Sequence, residues 1–216
     1  MEVIKKLKIH GKYIICKIKK CQSRRSISTI LSYGHLRVVC GDYFTESRII
    51  SSLESMYSAK KIAKINSEEL INDKFVYLLG EKRRIVVLNE GQNSTSMTDL
   101  IVRDRKDVNK YIDKFRMEVY LERVRRYEHI MNSPYVHEVK TRSFDRAYGK
   151  NFFGPKRIVL EKRLIHFSLD IIDHTVMHEI AHDYHHNHSK DFYRVLELFC
   201  PDHKKLKEKL SYGVRK

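Results

Sequence analysis

Residues 176–192 read Val-Met-His-Glu-Ile-Ala-His-Asp-Tyr-His-His-Asn-His-Ser-Lys-Asp-Phe. His178 and His182 are four positions apart, so on a helix with about 3.6 residues per turn they lie on one face. There both imidazoles can reach one zinc ion, whose nitrogen ligands lie at about 2.0–2.1 Å. Glu179 follows the first histidine and can act as general base on a metal-activated water. The stretch therefore predicts the active helix of a zinc hydrolase.

The residues before this motif predict that it lies on a buried helix. Ser168 is a suitable N-cap for a helix that starts at Leu169. The apolar side chains that give this helix a core-facing side are Ile171, Ile172, Val176 and Ile180. An alternative stays open, in which the histidines are only structural. HExxH also arises by chance, and a buried histidine is more often a hydrogen-bonded core group than a ligand.

The third ligand is predicted to be His188. A catalytic zinc site usually keeps three protein ligands and leaves the fourth position to water. Asn187 can end a helix in a left-handed conformation and Ser189 can cap the next helix, so His188 would lie in the turn between them. His185 and His186 are rivals. A helical row at i, i+4 and i+8, however, places the third nitrogen too far along the axis to complete a tetrahedron.

The sequence after the motif distinguishes between zincin families. Metzincins share the His spacing, but they have Gly at the position of His185 and a downstream Met-turn, and no Met follows Met177. The segment Asn-His-Ser-Lys-Asp-Phe-Tyr at 187–193 instead resembles the YgjP-like metallopeptidases, relatives of the SprT and WLM zincins. Their signature reads like HELAH, a short polar stretch, then NHS and an aromatic residue. The resemblance implies a zincin-like domain with one Zn²⁺ ion and a protein or peptide substrate.

One stretch departs from this family. Its members usually carry Arg-Trp-Gly-Ser-Cys on the strand before the active helix, where this chain has Arg142-Ser143-Phe144-Asp145-Arg146. Only the Arg is kept, so the substrate contact or strand edge that the motif makes is not implied here.

The composition indicates a folded and strongly basic protein. The chain has 216 residues, 42% of them hydrophobic, and a net charge of +16. Such a charge favours phosphate-bearing partners, although lysines can also merely solvate a surface. The four cysteines form no CxxC pair and are expected to be reduced. Without a signal-peptide core or an apolar run of membrane-spanning length, the expected location is cytoplasmic, with no membrane partner.

The basic N-terminal region is predicted to be β-rich. Strands are expected at residues 13–18, 27–31 and 36–40. Up to Arg25 there are nine Lys or Arg against one acid. With Tyr13 and strand hydroxyls among them, this surface could face nucleic acid. The alternative is the solvated side of an antiparallel sheet.

The remaining elements complete an α+β fold: an N-terminal, mainly antiparallel β region followed by a zincin-like helical domain with a small sheet. The predicted elements are a helix from Thr45 to Tyr57, a hairpin at 75–88, a polar loop at 89–96, a helix at 104–130, strands at 136–142 and 157–167, the helix from Leu169, and a helix at 202–210. The polar loop suggests two domains, residues 1–95 and residues 96–216. The long helix at 104–130 is expected to back the zinc helix.

These features predict a zinc-dependent metallopeptidase with His178, His182 and His188 as ligands and Glu179 as base. One alternative is a metal-dependent hydrolase of nucleotides or other phosphate esters, against which the lack of a P-loop counts. Another is a nucleic-acid-binding protein on a zincin scaffold; SprT and WLM relatives are associated with proteolysis of DNA-attached proteins. The possible oxyanion donors near the motif are Tyr184, His185, His186, Tyr193 and His203. The sequence indicates no oligomeric state.

Overall fold

Strands and helices form a mixed α+β fold, as the sequence predicts. The computed structural model describes residues 2–144 and 147–214, so Asp145 and Arg146 of the departing stretch lie outside the described residues. The strands are β1 (Glu2–Ile9), β2 (Lys12–Lys20), β3 (Ser28–Ser32), β4 (His35–Cys40), β5 (Phe75–Leu78), β6 (Glu81–Val87), β7 (Ser94–Thr95), β8 (Asp99–Val102), β9 (Glu138–Arg142), β10 (Gly149–Phe152) and β11 (Arg157–Glu161). The helices are α1 (Glu46–Met56), α2 (Ala59–Lys64), α3 (Asp107–Ile130), α4 (Leu169–Ala181), α5 (Lys190–Phe199) and α6 (His203–Tyr212), with a 3₁₀ helix at Lys162–His166. The chain divides into two compact units, residues 2–69 with 208–214 and residues 70–207.

The first unit contains a four-stranded sheet in the order β1-β2-β4-β3. β1 pairs with β2 and β3 with β4 as antiparallel hairpins, while β2 and β4 run parallel between them. Successive residues of a strand face opposite sides, so alternate apolar side chains point to one face of the sheet. That face and helices α1 and α2 enclose a core that includes Leu7, Ile14, Ile18, Leu36, Val38, Ile49, Leu53 and Ile62.

The second unit contains two further sheets. One has the order β5-β6-β8-β7, with β6 and β8 in parallel register. Because this register joins residues 84–87 to residues 99–102, the polar stretch 89–96 connects strands of one sheet, and the expected boundary near residue 95 lies inside the second unit. The other sheet has the order β10-β11-β9, in which β10 is an edge strand antiparallel to β11.

The strand predicted at residues 157–167 is shorter than expected. β11 ends at Glu161, and the next five residues form the 3₁₀ helix. The buried Glu161 carboxylate accepts hydrogen bonds from the backbone N–H of Arg163 (3.2 Å) and from its guanidinium (3.0 Å). A side chain that caps a first turn offers the backbone an alternative to the strand ladder. The strand prediction is therefore wrong beyond Glu161.

The long helix α3 packs against α4, as predicted. The guanidinium of Arg123 on α3 forms two hydrogen bonds of 2.6 Å with the carboxylate of Asp173 on α4, and the Tyr127 hydroxyl donates to the same carboxylate at 2.9 Å. Such a forked pair fixes orientation as well as distance, so it sets how the two helices face each other. None of the helices in the described ranges is both long and apolar enough to cross a lipid bilayer.

Substitution of Gly34, in the turn between β3 and β4, tests how closely the first unit is packed. It has φ +75°, and a Cβ there would lie 1.9 Å from the carbonyl oxygen of Asn66. Gly11, in the turn between β1 and β2, has φ +79° with open space around it. Gly11→Ala should lower the free energy of unfolding by about 1–2 kcal/mol through backbone strain alone. Gly34→Ala should cost about 1–3 kcal/mol more, because the backbone of Asn66 must also move. Urea unfolding of both variants measures the difference, and equal losses would contradict the close approach at Gly34.

Candidate metal centre

The two histidines of the HExxH motif lie at the carboxyl end of α4. His178 is in the last turn, and His182 is the residue after the helix, still with helical backbone angles. The chain then tightens, because the N–H groups of Asp183 and Tyr184 bond to carbonyls three residues back. The expectation that Asn187 ends the helix in a left-handed conformation is wrong: the helix ends at Ala181, six residues earlier, and Asn187 does not have a positive φ.

His188 lies in the turn between α4 and α5, where the sequence places it. The Ser189 hydroxyl accepts a hydrogen bond from the N–H of Phe192 (3.3 Å) and caps α5, as predicted. One ring nitrogen from each of His178, His182 and His188 lies within 4.8 Å of the other two. The Nε2 atoms of His178 and His188 are 3.0 Å apart. The turn therefore brings the imidazole of His188 next to those of His178 and His182.

Phe192 packs against all three imidazoles. Its side chain is fully buried, and its ring centroid lies 5.0 Å from His178, 4.6 Å from His182 and 4.8 Å from His188. A rigid aromatic ring in contact with three others restricts the orientations that each can adopt. The aromatic residue of the NHS-aromatic signature therefore has a packing role at this site.

The three rings suit one divalent metal ion. Two nitrogens bound to a tetrahedral zinc ion would lie about 3.3 Å apart, close to the 3.0 Å between His178 and His188. Burial lowers the pKa of each histidine, at His178 to about 2, where the neighbouring histidines add to the effect. Each ring is therefore neutral at pH 7, the state in which histidine binds metals. Nδ1 of His182 lies 3.1 Å from the carbonyl oxygen of His185, and an N–H donated there leaves Nε2 for a metal.

Glu179 is buried in the wall of the same cleft, which has a volume of about 410 Å³. Burial raises the pKa of its carboxyl to about 8. Gly149 of the edge strand β10 lies directly beside it, since a Cβ at Gly149 would be 2.7 Å from Oε1 of Glu179. Because Gly149 has no side chain, it leaves room for the Glu179 carboxylate.

Asn151 joins β10 to the end of α4. Its side-chain amide donates hydrogen bonds to the carbonyl oxygen of Glu179 (2.8 Å) and to the Asp183 carboxylate (2.7 Å). The edge strand is thereby held against the HExxH segment. Sequence reasoning missed Asn151, and its spacing carries no signal, because its partners are 28 and 32 residues away along the chain.

A buried histidine, His137, also stabilises the connection between β10 and the end of α4 by bonding to Asp183. His137 lies between two carboxylates, with Nε2 3.1 Å from Asp183 and Nδ1 3.0 Å from Glu128. Arg125 pairs with the other oxygen of Glu128 at 2.6 Å. Both ring nitrogens of His137 face acceptors, so the doubly protonated ring satisfies both. The chain Arg125–Glu128–His137–Asp183–Asn151 runs from α3 to β10 and orients the residue next to His182.

Three of the suggested oxyanion donors have other partners. The Tyr184 hydroxyl donates to the backbone carbonyl of Met131 at 2.6 Å. His203 lies 3.2 Å from Glu197 and stacks on Tyr193 with 5.6 Å between ring centroids. Tyr184, Tyr193 and His203 are not among the described residues that line the cleft.

The other two suggested donors differ from each other. His186 lines the cleft, and its ring packs against that of Phe153 at 4.0 Å. His185 contributes its backbone carbonyl to His182. Asp191 forms an exposed pair with Arg194 at 2.6 Å, so it belongs to the surface of α5.

Two residues that the sequence analysis did not consider, His174 and Lys207, also line the cleft. His174 is one turn before His178, so the spacing rule that pairs His178 with His182 could have found it. Its side chain is 4% exposed, and neither ring nitrogen has a hydrogen-bond partner among the described residues. Burial, with the charges of His203 and Lys207, lowers the pKa of His174 to about 4. A buried polar group without a partner costs about 1–3 kcal/mol.

Residues 29–212 match the family model described as YgjP-like, metallopeptidase domain. The chain belongs to the YgjP-like metallopeptidase family. The match includes the HExxH segment and His188 and begins after β1 and β2. This YgjP-like chain is accordingly a metal-dependent peptidase, which confirms the resemblance and the enzyme class expected from the sequence.

Two solved structures resemble part of this YgjP-like chain. The metallopeptidase zymogen of Pyrococcus abyssi abylysin is 17% identical with a TM-score of 0.41, covering 45% of this chain and 96% of its own. The metallopeptidase zymogen of Methanocaldococcus jannaschii jannalysin is 18% identical with a TM-score of 0.37, covering 42% of this chain and 96% of its own. A comparison with curated proteins gives no match.

The buried network predicts a pH-dependent stability. Burial opposes protonation of His137, but the Asp183 and Glu128 carboxylates outweigh it and raise its pKa above the ordinary 6.5. A histidine with a raised folded-state pKa stabilises fully below about pH 6.5, and this contribution is lost as pH rises through the folded-state pKa. In metal-free protein, the stability difference between wild type and His137→Gln should therefore shrink as pH rises above 6.5.

Urea unfolding at pH 6 and pH 9 measures this difference. The exposed His129 provides a matched control, and His129→Gln should follow the wild-type pH dependence. A difference between wild type and His137→Gln that does not change with pH would contradict a charged His137.

Proposed function

We propose that this chain is a zinc-dependent peptidase in which His178, His182 and His188 bind one zinc ion and Glu179 is the general base. The observation that carries the proposal is the convergence of three neutral imidazole nitrogens within 4.8 Å, in a cleft that Glu179 also lines. Three histidines with a fourth position left open are a usual donor set for catalytic zinc. Imidazole also suits other first-row metals, so metal analysis is part of the test.

The chain's own residues fit the acid–base part of peptide hydrolysis. A zinc ion in this position would polarise the scissile carbonyl and lower the pKa of water beside it. Glu179, whose pKa burial raises to about 8, is basic enough to take a proton from water and weak enough to return it to the leaving amine. Gly149 leaves room for the Glu179 carboxylate, and Asn151 holds the backbone of the same residue.

The edge strand β10 supports a peptide as the substrate. One edge of β10 pairs with β11, and its other edge is an outer edge of the sheet. Residues 147–151 and 153 line the cleft together with the histidines. An unpaired strand edge can bind an extended peptide through backbone hydrogen bonds. A peptide bound in this way would pass Glu179 and the three imidazoles with its backbone extended.

Metal content and hydrolysis together test the proposal. Glu179→Gln should keep one zinc per chain but lose about 10²–10⁴-fold in the turnover of a peptide substrate, because only the proton acceptor is removed. His188→Ala should lose bound zinc as well as activity. His186→Ala is the matched control, since its ring packs on Phe153, and it should keep the zinc. A Glu179→Gln enzyme as active as wild type would contradict the assigned base, and full zinc binding by His188→Ala would contradict the third ligand.

Hydrolysis of a nucleotide or other phosphate ester is a second candidate activity for this site. Lys150 and Lys207 line the cleft, and cations in a cleft attract phosphate groups. The chain has no Gly-rich P-loop, and the matching family description names a peptidase. Assays of nucleoside triphosphates and peptides with the same zinc-loaded protein distinguish the two activities.

The exposed face of the N-terminal sheet favours a further role in binding nucleic acid. The side chains that share this face include Lys6, Lys8, Tyr13, Lys17, Lys19 and Arg37, as the strand register shows. Tyr13 is 57% exposed, and the ammonium groups of Lys6 and Lys8 lie 5.9 and 6.0 Å from its ring centroid. β1 and β2 contain one acidic residue, Glu2, which lies opposite Lys19.

The composition of this face suits single-stranded nucleic acid. Cations that track a phosphate backbone and an exposed aromatic ring on which a base can stack are the usual combination in such sites. Residues 1–25 carry half of the chain's net charge of +16. β1 and β2 lie outside residues 29–212, so the family match does not account for their charge.

Binding of a fluorescent single-stranded oligonucleotide tests this role. The logarithm of the affinity should fall steeply with the logarithm of salt concentration, and Lys6→Glu with Lys8→Glu should reduce that slope by about 1.4 for two lost phosphate contacts. Lys60→Glu with Lys205→Glu changes the net charge equally at exposed positions on helices and should leave the slope unchanged. Salt-independent binding, or an equal effect of both double variants, would exclude a role for the sheet face.

A further inference from the structure

His174 is a buried polar side chain that lines the cleft. It stands on α4 one turn before His178, and the two ring centroids are 6.3 Å apart. Its side chain is 4% exposed, and both ring nitrogens lack a partner among the described residues. A neutral imidazole presents one donor and one acceptor, and buried groups of this kind are nearly always satisfied. His174 is therefore placed to bond with a ligand that enters the cleft.

Lys207 supplies a positive charge at the same place. It is an exposed residue of α6 that lines the cleft with His174, His178 and His188. Within residues 2–144 and 147–214, no hydrogen bond or ion pair involves its ammonium group. An ammonium group is a compact, rotatable donor on a flexible stem, so it can follow a ligand into the cleft.

Lys207 is one of three charged side chains among the described residues that line the cleft. Among the described lining residues, the charged side chains are Lys150, Lys207 and Glu179. Glu179 is buried, beside Gly149 and Asn151. Lys150 adds a second cation on β10, with its ammonium group 5.9 Å from the ring centroid of Phe144. The accessible charge that the described residues give the cleft is therefore positive.

We propose that His174 and Lys207 form a subsite for a carboxylate group of the peptide substrate, either an Asp or Glu side chain or a free C-terminus. The proposal rests on the proposed peptidase function and adds the substrate's chemical class to it. The imidazole N–H of His174 donates one hydrogen bond to the carboxylate, and the Lys207 ammonium group forms an ion pair with it. Charge-assisted hydrogen bonds of this kind are stronger than neutral ones and give orientation.

Matched peptides test the subsite through activity. One pair differs only in Asp or Asn near the scissile bond, and another only in a free or amidated C-terminus. The wild-type enzyme should favour at least one carboxylate form by about 10-fold or more in kcat/KM, mainly through KM, as expected for a charged hydrogen bond. Lys207→Met and His174→Phe should bring that ratio close to one, and Lys207→Arg should restore part of it. Lys205→Met, on the same helix but outside the cleft, should keep the wild-type ratio.

A binding measurement separates this proposal from the peptidase function. In metal-free protein labelled on its histidine rings, N-acetyl-aspartate should shift the NMR signals of His174, which are assigned by their loss in His174→Phe, and Lys207→Met should weaken the binding. Inorganic phosphate is the competing probe. Peptide hydrolysis without a carboxylate preference, or signals that respond to phosphate but not to N-acetyl-aspartate, would overturn the subsite and leave the peptidase proposal standing. Carboxylate binding without hydrolysis of any peptide would support the subsite and overturn the peptidase proposal.

Discussion

The contact between Phe192 and three imidazole rings is the interaction on which the site's geometry depends. His178 and His182 are placed by one helix, but His188 reaches them only because the chain turns back after α4. Phe192, in the first turn of α5, is within 5.0 Å of each ring centroid. Burial of this one side chain therefore couples the start of α5 to the end of α4, and the three nitrogens converge as a consequence of ordinary core packing.

A second constraint keeps the edge strand beside this cluster. β10 is joined to its sheet on one side, and Asn151 joins it to α4 through two hydrogen bonds. The carboxylate that accepts one of these bonds, Asp183, is itself held by His137. Because the Asn151 amide group, the Asp183 carboxylate and the His137 ring are joined by hydrogen bonds, displacement of any one leaves a polar group of another without its partner. The position of Glu179 between β10 and the imidazoles thus depends on Asn151, Asp183 and His137 as well as on its own helix.

The sequence predicted the features that depend on residues close together in the chain. It did not predict the features that depend on long-range contacts. Residues close together in the sequence were enough to predict three features: the helix that carries His178 and His182, the turn at His188, and the cap at Ser189. The conformation predicted for Asn187 is wrong, because the helix ends at Ala181 and does not continue toward Asn187. Local periodicity cannot show where a helix end meets other parts of the fold.

Contacts between distant residues account for the rest. Asn151, His137 and Lys207 acquire their roles only when separate elements meet, and none stands at a spacing that marks it. The expected boundary near residue 95 rested on a polar stretch, and the parallel pairing of β6 with β8 carries the sheet across it. Polar composition identified a connection correctly, but a connection between strands of one sheet looks the same in sequence as one between domains.

The electrostatics of the cleft would link the binding of a metal ion to that of the substrate. A divalent cation held by the three neutral imidazoles would add two positive charges to a cleft that Lys150 and Lys207 already line. Glu179 offsets one charge at most, and burial raises its pKa to about 8. In a partly desolvated space such an excess is unfavourable until an anion enters, since like charges interact more strongly there than in water. An anionic group of the substrate and the metal ion would therefore stabilise each other's binding, and this reciprocity follows from the charge balance of the cleft alone.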